Sequence, residues 1–248
     1  MREIGRTCYT LDNPRALISC LEYLKQKQIR SMIDIDSANG LLTKMIMEYL
    51  GVEKAYGIER NQSLVKIAKS HFGDEITFIE KDFLEMSDPD MKVDLVTCFG
   101  VLEHNIEWDV FIDNVNKFLD YGSHILIQVP NLGGWMNRAS LLLGYQPISL
   151  EISQRKLYGV SFGKNSNPMR SAPRPIGHIK MATYRAWREF LEDNDLRIVR
   201  VEPVYSSNLG WINFVDKILS PFPGMARRLI ILAQNRAGTT GDGGPGGN

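Results

Sequence analysis

Two hydrophobic rhythms alternate along this chain. Over 13–29, "NPRALISCLEYLKQKQI", apolar positions recur at helical spacing, with Asn13 able to cap the start and Pro14 suited to the first turn. "SMIDI" follows as a short buried strand, and "LLTKMIMEYLG" as a helix stopped by Gly51. The pair repeats with "KAYGIE" as a strand and "SLVKIAKSHFG" as a helix closed by Gly73. "ITFIEKD" and "VDLVTCFG" give a third and a fourth strand, "WDVFIDNVNKFLDYG" a helix, and "SHILIQVP" a fifth strand of strong β character. Strands alternating with helices predict a parallel sheet covered on both faces.

From 131 to 180 the rhythm breaks. Pro147, Pro168, Pro173 and Pro175 fall here among several Gly and Ser residues, around one helical piece, "WMNRASLLLG". Loops of this length are functional or disordered. Order then resumes. "TYRAWREFLEDNDL" reads as a helix, "RIVRVEPV" as a strand, "WINFVDKILSPFPGMARR" as a helix broken by proline, and "LIILAQNR" as a last strand. The pattern is that of an α/β fold: a doubly wound, mostly parallel sheet of about seven strands with an insertion after the fifth. One domain over 1–236 is expected, with 131–180 as a substrate-binding insertion or lid. The final "AGTTGDGGPGGN", 237–248, has too little apolar surface to build a core and is expected to be a disordered tail.

Composition narrows the classes. With 29 basic and 29 acidic residues the chain lacks the overall basic field that grips nucleic acid, although a local patch stays open. Its three cysteines, Cys8, Cys20 and Cys98, are odd in number and widely spaced, which suits a reducing compartment. No zinc-type cysteine spacing occurs, so no metal is expected. The first residues, "MREIGRTCYT", are too polar for a signal peptide, and no apolar run approaches the roughly 20 residues that span a bilayer. A cytoplasmic protein without stable membrane insertion is expected.

The stretch "SMIDIDSANG" looks like the turn of a nucleotide-binding fold with glycines replaced by Asp36 and Ala38. Asp36 argues against a pyrophosphate ligand. At about 4 Å and an effective dielectric near 20, one such like-charge pair is worth on the order of 4 kcal/mol. A phosphate-free ligand with ammonium and sulfonium charge meets the opposite sign, and S-adenosylmethionine is such a ligand. The plainer reading makes Asp34 and Asp36 ordinary polar residues of a strand-end turn. Asn39 and Gly40 suit a turn either way. Glu59, 19 positions after Gly40, can accept from both hydroxyls of a ribose or can be a surface charge. Asp82 and Phe83 after the third strand can accept from and cover an adenine, and Phe99-Gly100 ends the fourth.

"MIDIDSANG", "YGIERN", "EKDFLEM", "VDLVTCFGVLEH" and "ILIQVPN" stand in the order and spacing of the class I S-adenosylmethionine-dependent methyltransferases, which this chain resembles. "VLEH", "PNLGGWMNR" and "GHIKMATYRAWREFLEDNDLRIV" resemble a broad methyltransferase-domain family with many small-molecule and glycan methyltransferases. The resemblance spans roughly 15–203 and implies a Rossmann-like sheet and S-adenosyl-L-methionine as cofactor. It implies that the turn from Asp34 to Gly40, with Asp36 and Ala38, contacts the methionine moiety. It also implies that Glu59, with Arg60 beside it, holds the ribose, that Asp82 and Phe83 frame the adenine, and that the stretch Phe99 to Leu102, with Gly100, lines the pocket near the sulfur. The departure is at Asp36 and Ala38, where the family usually has Gly. Either Asp36 pairs with the ligand's ammonium, or the cofactor site is weakened.

Methyl transfer from a sulfonium requires mainly that the acceptor be aligned, and a hydroxyl acceptor also needs a base. Glu103, His104 and His178 are the candidates, each with a structural alternative: "LEH" can simply organise a strand end. Between Glu151 and Glu189 no acid occurs, while Arg155, Lys156, Lys164, Arg170, Arg174, Lys180, Arg185 and Arg188 do. Such a segment favours an anionic acceptor or forms a solvated loop. Tyr158 and Phe162 suit lid packing or sugar stacking, and Trp135 with Leu141 to Leu143 suits packing of the lid helix. "WINFVDKILSPF" has the two-faced pattern of a core helix or of one resting on a membrane surface. The first reading is an O-methyltransferase acting on an anionic small molecule or glycan. An RNA methyltransferase and a non-catalytic binding protein of the same fold are the alternatives.

Overall fold

The computed structural model describes residues 14–86, 91–147, 149–155, 157–160, 177–204, 212–219 and 221–237. Its centre is a seven-stranded sheet in the order β3-β2-β1-β4-β5-β7-β6. The strands are β1 (Ser31–Ile35), β2 (Lys54–Glu59), β3 (Ile76–Glu80), β4 (Val93–Phe99), β5 (Leu119–Pro130), β6 (Leu196–Val204) and β7 (Arg228–Asn235). Strands β1 to β5 pair in parallel, and β7 runs antiparallel to both neighbours, β5 and β6. The mostly parallel, doubly wound sheet expected from the sequence is therefore present.

Strand periodicity divides the apolar side chains between two cores. Ile33, Val96, Ile127 and Ile231 face one side, where Phe111, Ile112 and Val115 of α4 (Trp108–Phe118) and Trp187 and Leu191 of α6 (Tyr184–Asp193) cover them. Met32, Leu95, Leu126 and Leu232 face the other. There Leu17 and Leu21 of α1 (Pro14–Lys25), Ile46 of α2 (Leu41–Leu50) and Val65 of α3 (Gln62–Phe72) close the layer. Each large aliphatic side chain fully buried in these layers contributes about 1.5–3 kcal/mol. The apolar runs without alternation, "SMIDI" and "SHILIQVP", are the strands buried on both faces.

One boundary differs from the pattern-based expectation. The helix expected to run to Gly122 ends at Phe118, and β5 begins at Leu119. Leu119 is buried against the α4 core and pairs with Val93. A register shift between Val93 and Leu95, with Gly122 at φ 88°, absorbs the extra residues before His124. Tertiary burial of Leu119 thus outweighs the helical spacing that "NKFLDYG" continues.

After β5 the chain enters the insertion through Asn131, which is wholly buried. Its amide donates to the carbonyls of Pro223 and Ala226 and accepts from the N–H groups of Gly133 and Tyr184. This one side chain ties together the start of the insertion, the start of α6 and the turn before β7. Helix α5 (Trp135–Leu142) follows, and an isolated bridge joins Gln146 to Val160. Helix α7 (Ile212–Leu219) precedes the turn at Pro221 and Pro223, where the sequence predicts a proline break. Lys156, Phe162, Lys164, Arg170 and Arg174, like Cys8 and positions 238–248 of the tail, lie outside the described residues. No described helix is long and apolar enough to cross a membrane.

Candidate active site

The carboxyl ends of β1, β2, β3 and β4 meet where chain order reverses, with β1 and β4 as neighbours. Doubly wound sheets bind ligands at such a switch point. An open cleft lies there, lined among others by Asp36, Arg60, Lys81, Asp82, His104 and Asn105.

The turn after β1 keeps a glycine-type backbone without the glycines. Asp36 has φ 60°, Ala38 φ 49° and Gly40 φ 77°. For a residue with a Cβ the left-handed region costs on the order of 1–2 kcal/mol, less for Asp than for Ala. Hydrogen bonds hold the turn in place. The Ser37 N–H donates to the Ile58 carbonyl at 3.0 Å, the Ala38 N–H to Oε2 of Glu59 at 3.0 Å, and the Gly40 N–H to the Ser37 carbonyl at 2.9 Å. Space decides which glycines remain. A Cβ at Gly40 would lie 2.6 Å from the Phe78 ring, and one at Gly57 would lie 2.6 Å from Oγ of Ser37. Asp36 and Ala38 are exposed, so their side chains meet no such wall.

The turn's two acids have different surroundings. Asp34 is buried and accepts from the hydroxyls of Thr43 at 2.5 Å and Thr97 at 2.6 Å. Burial raises its pKa to about 6, against the pull of those two hydrogen bonds. Its carboxyl thus points into the protein and pins β1 to α2 and β4. Asp36 opens to the cleft. Partial burial first, then the charge of Glu59 and that of Asp82, raise its pKa, while Arg60 and His104 oppose them. A cation placed here relieves that crowding.

Glu59 is buried at the end of β2. One oxygen accepts from the Ala38 N–H and the other from the Asn61 N–H at 2.7 Å, so the carboxylate fixes the turn after β1 while each oxygen keeps a further lone pair. Arg60 is exposed, 3.6 Å from Asp82. Asp82 caps the short turn Phe83–Glu85 by accepting from the Leu84 N–H at 3.0 Å. Phe83 lines the cleft with one edge and packs its ring 5.0 Å from Phe111. Phe99 is half-buried against the α1–α3 core. Gly100 stands at φ 71°, and Leu102 is fully buried, its carbonyl accepting from Nε1 of Trp108 at 2.7 Å. The structure therefore gathers Asp36, Arg60, Asp82, Phe83 and His104 on one cleft. It does not bring the side chains of Asp34 and Leu102 to it. Val101, within the stretch Phe99 to Leu102, lines it, and so do Lys81 and Asn105, which carry no sequence signal of their own.

At the other end of the cleft the turn Leu102–His104 meets the segment after the insertion. The N–H groups of Ile179 and Lys180 donate to the Glu103 carbonyl at 2.7 and 3.3 Å. This clamp joins Glu103 and His178, distant in sequence. Nε2 of His178 lies 3.9 Å from Oε1 of Glu103, and the His104 and His178 rings stand 5.3 Å apart. Nδ1 of His178 contacts the Ser149 carbonyl at 2.9 Å, and Nδ1 of His104 contacts the Gly177 carbonyl at 2.9 Å. A carbonyl can only accept, so in each neutral ring Nδ1 carries the hydrogen and Nε2 an unshared pair. Burial holds the His178 pKa below the ordinary histidine value, against the Ser149 carbonyl and the charge of Glu103. Oε2 of Glu103 is buried with no hydrogen-bond partner among the described residues.

Of the basic residues near the insertion, Lys180 lies over the Trp108 ring at 4.4 Å and donates to the Ile106 carbonyl at 3.1 Å. Arg185 pairs with Glu189 at 2.9 Å.

A family described as "Methyltransferase domain" matches residues 9–201. Among solved structures, the chain is similar to an S-adenosylmethionine-dependent methyltransferase from Mesorhizobium loti, with a TM-score of 0.59 at 15% identity over 89% of this chain and 98% of that one. It is also similar to magnesium protoporphyrin IX methyltransferase from Synechocystis PCC 6803 with bound SAH, with a TM-score of 0.57 at 15% identity over 91% and 84%. A third similar structure is the DhpI-SAM-HEP complex, with a TM-score of 0.59 at 16% identity over 94% and 90%. No curated protein matches. At these identities the structures speak for the fold alone.

Proposed function

This chain belongs to the methyltransferase-domain family, and on that premise we propose that it transfers the methyl group of S-adenosylmethionine to an oxygen of an anionic small molecule or glycan. The observation that carries the reading is a cleft lined by Asp36, Asp82 and His104, with the Glu103–His178 pair directly behind His104. Asp36 and Asp82, with Glu59 behind the turn, favour a cation, and the Glu103–His178 pair supplies a base beside the cleft.

The residues present fit the cofactor. The left-handed backbone at Asp36 and Ala38 opens the turn as glycines would, so the substitutions preserve the site's shape. Asp36 adds a charge of the sign that a cationic, phosphate-free nucleoside needs. Asp36 would hold the ammonium end, Glu59 the ribose, and Asp82 with Phe83 the adenine. When bound, S-adenosylmethionine supplies a methyl group made electrophilic by the sulfonium.

The chain's own work is then at the acceptor. His178, neutral through burial, presents the unshared pair of Nε2 and takes the proton that a hydroxyl gives up. Glu103 steadies the imidazolium so formed, in the manner of an acid behind a histidine base. The segment carrying Arg155 and Lys180 supplies positive charge for an anionic acceptor. The commitment of Lys180 and Arg185 to local partners supports a small acceptor over a long phosphate track.

The test is a panel of hydroxylated carboxylates, phosphorylated sugars, glycans and short RNAs, scored by release of S-adenosylhomocysteine. Turnover is expected with an anionic hydroxylated acceptor. Turnover with RNA alone, falling steeply with salt, overturns the acceptor class.

A further inference from the structure

We propose that Glu103, His104 and His178 form a binding site for one divalent transition metal of the zinc class, at the acceptor end of the cleft. One ligating atom from each residue lies within 4.8 Å of the other two. Glu103 and His178 are both more than nine-tenths buried, and Oε2 of Glu103 has no hydrogen-bond partner among the described residues.

Unsatisfied acceptors converge here. Backbone carbonyls fix both imidazoles in the Nδ1–H form, the Ser149 carbonyl for His178 and the Gly177 carbonyl for His104. Nε2 of His178 then directs a lone pair at a carboxylate oxygen 3.9 Å away, with no donor between them. A buried carboxylate facing a second acceptor is unfavourable unless a cation or a proton joins them. The carbonyl contacts are also what metal-binding histidines use to fix tautomer and ring orientation. Two imidazoles and one carboxylate are a donor set for zinc, iron or manganese rather than for magnesium or calcium alone. Two donors on a tetrahedral zinc, each about 2.1 Å from it, stand about 3.4 Å apart, so the 3.9 Å between Glu103 and His178 needs to shorten by about 0.5 Å on metal binding. The backbone clamp between Glu103 and 179–180 holds the two contributing segments together without the metal.

Three protein donors leave at least one coordination position, and His104 lines the cleft, so that position can open to the acceptor. The role of the metal rests on the methyl-transfer reading; its binding does not. A metal there would lower the pKa of an acceptor hydroxyl by its charge, the released proton would leave to solvent, and in the metal-bound form His178 would ligate the cation in place of acting as the base.

Calorimetric titration of the metal-stripped full chain with Zn²⁺, and with Co²⁺ followed by visible absorption, tests the site. One equivalent is expected to bind at micromolar or lower Kd, with 10 mM Mg²⁺ unable to displace it. Glu103→Gln and the exposed variant His104→Ala are each expected to weaken binding by at least about 100-fold, since loss of even an outer partner costs 10–100-fold. Far-UV circular dichroism and thermal unfolding of both variants are expected to match the wild type, which shows that they are folded, and the wild-type chain is titrated with S-adenosylhomocysteine in parallel. No stoichiometric metal binding, or binding that both variants retain, overturns the site and leaves a proton-sharing Glu103–His178 pair. Metal binding without cofactor binding instead supports the site and overturns the methyl-transfer reading.

Discussion

Asp36→Asn removes one charge and almost no volume, and its effects on the free and liganded protein have opposite signs. In the free protein Asp36 stands near Glu59 and Asp82, and its pKa is raised by partial burial and then by those charges. The variant ends this repulsion, and Asn tolerates the left-handed backbone at φ 60°. Because Asp36 is exposed, solvent screening limits the gain to about 0.5 kcal/mol, or a rise of about 1–2 °C in Tm for a chain of this size. In the complex the same change removes a charge-assisted hydrogen bond to the ligand's ammonium, worth about 1.5–3 kcal/mol. Cofactor affinity is therefore expected to fall by roughly 10- to 100-fold. The assay is calorimetric titration with S-adenosylmethionine and with S-adenosylhomocysteine, beside thermal unfolding of the free protein. S-adenosylhomocysteine lacks the sulfonium but keeps the ammonium, so a partner of the ammonium loses both ligands equally. Unchanged affinity for both refutes the pairing. A loss confined to S-adenosylmethionine refutes the ammonium assignment and moves Asp36 to the sulfonium.

Ala38→Gly relaxes a left-handed alanine and is expected to stabilise the fold by about 0.5–1 kcal/mol in urea unfolding; destabilisation contradicts the backbone described for the turn. His124 is buried with both ring nitrogens unpartnered among the described residues, and burial lowers its pKa from 6.5 to about 4. The folded state thus binds fewer protons than the unfolded state between those values. Stability rises with pH across this window and is lost as pH falls through it. His124→Leu is expected to remove about 3 kcal/mol of this acid sensitivity between pH 7 and pH 4, read from paired unfolding curves; parallel pH profiles contradict it. Asp34 has the opposite sign, since its folded pKa is raised to about 6. The stability of Asp34→Asn relative to wild type is expected to improve by about 2–3 kcal/mol from pH 4 to pH 7, and no change with pH counts against a buried carboxyl there. Trp187→Ala removes a fully buried ring stacked 4.4 Å from Trp108 and is expected to cost about 3–5 kcal/mol in urea unfolding, with a smaller loss counting against the stack.

The sheet was legible because its strands carry runs such as "SMIDI" and "SHILIQVP" that only a doubly covered sheet can bury. The end of α4 was not, because the helical spacing of "NKFLDYG" continues past the point where Leu119 gains more by pairing with Val93. The order of strand ends brought Asp36 and Asp82 to one cleft and Glu59 to the turn behind it, since fold topology fixes where strand ends converge. The separate tasks of Asp34 and Asp36 were hidden. Their contrast depends on Thr43 and Thr97, which lie 9 and 63 positions from Asp34 and give no pattern in the chain. The grouping of Glu103, His104 and His178 was also hidden as a metal-type cluster. It is created by backbone hydrogen bonds between 103 and 179–180, which no local spacing encodes. Sequence order likewise implied that both Asp36 and Ala38 replace glycines. It could not show that open space at those two positions, and walls at Gly40 and Gly57, make the exchange tolerable.

The central claim is that the acid-rimmed cleft beyond β1, β2 and β3 takes a phosphate-free adenosine derivative and refuses a dinucleotide. Titrating the purified chain with S-adenosylhomocysteine and, in parallel, with NAD⁺ tests it most directly. One site of micromolar affinity is expected for the first and no measurable heat for the second. Silence toward S-adenosylhomocysteine, or NAD⁺ binding that Asp36→Asn strengthens, contradicts it.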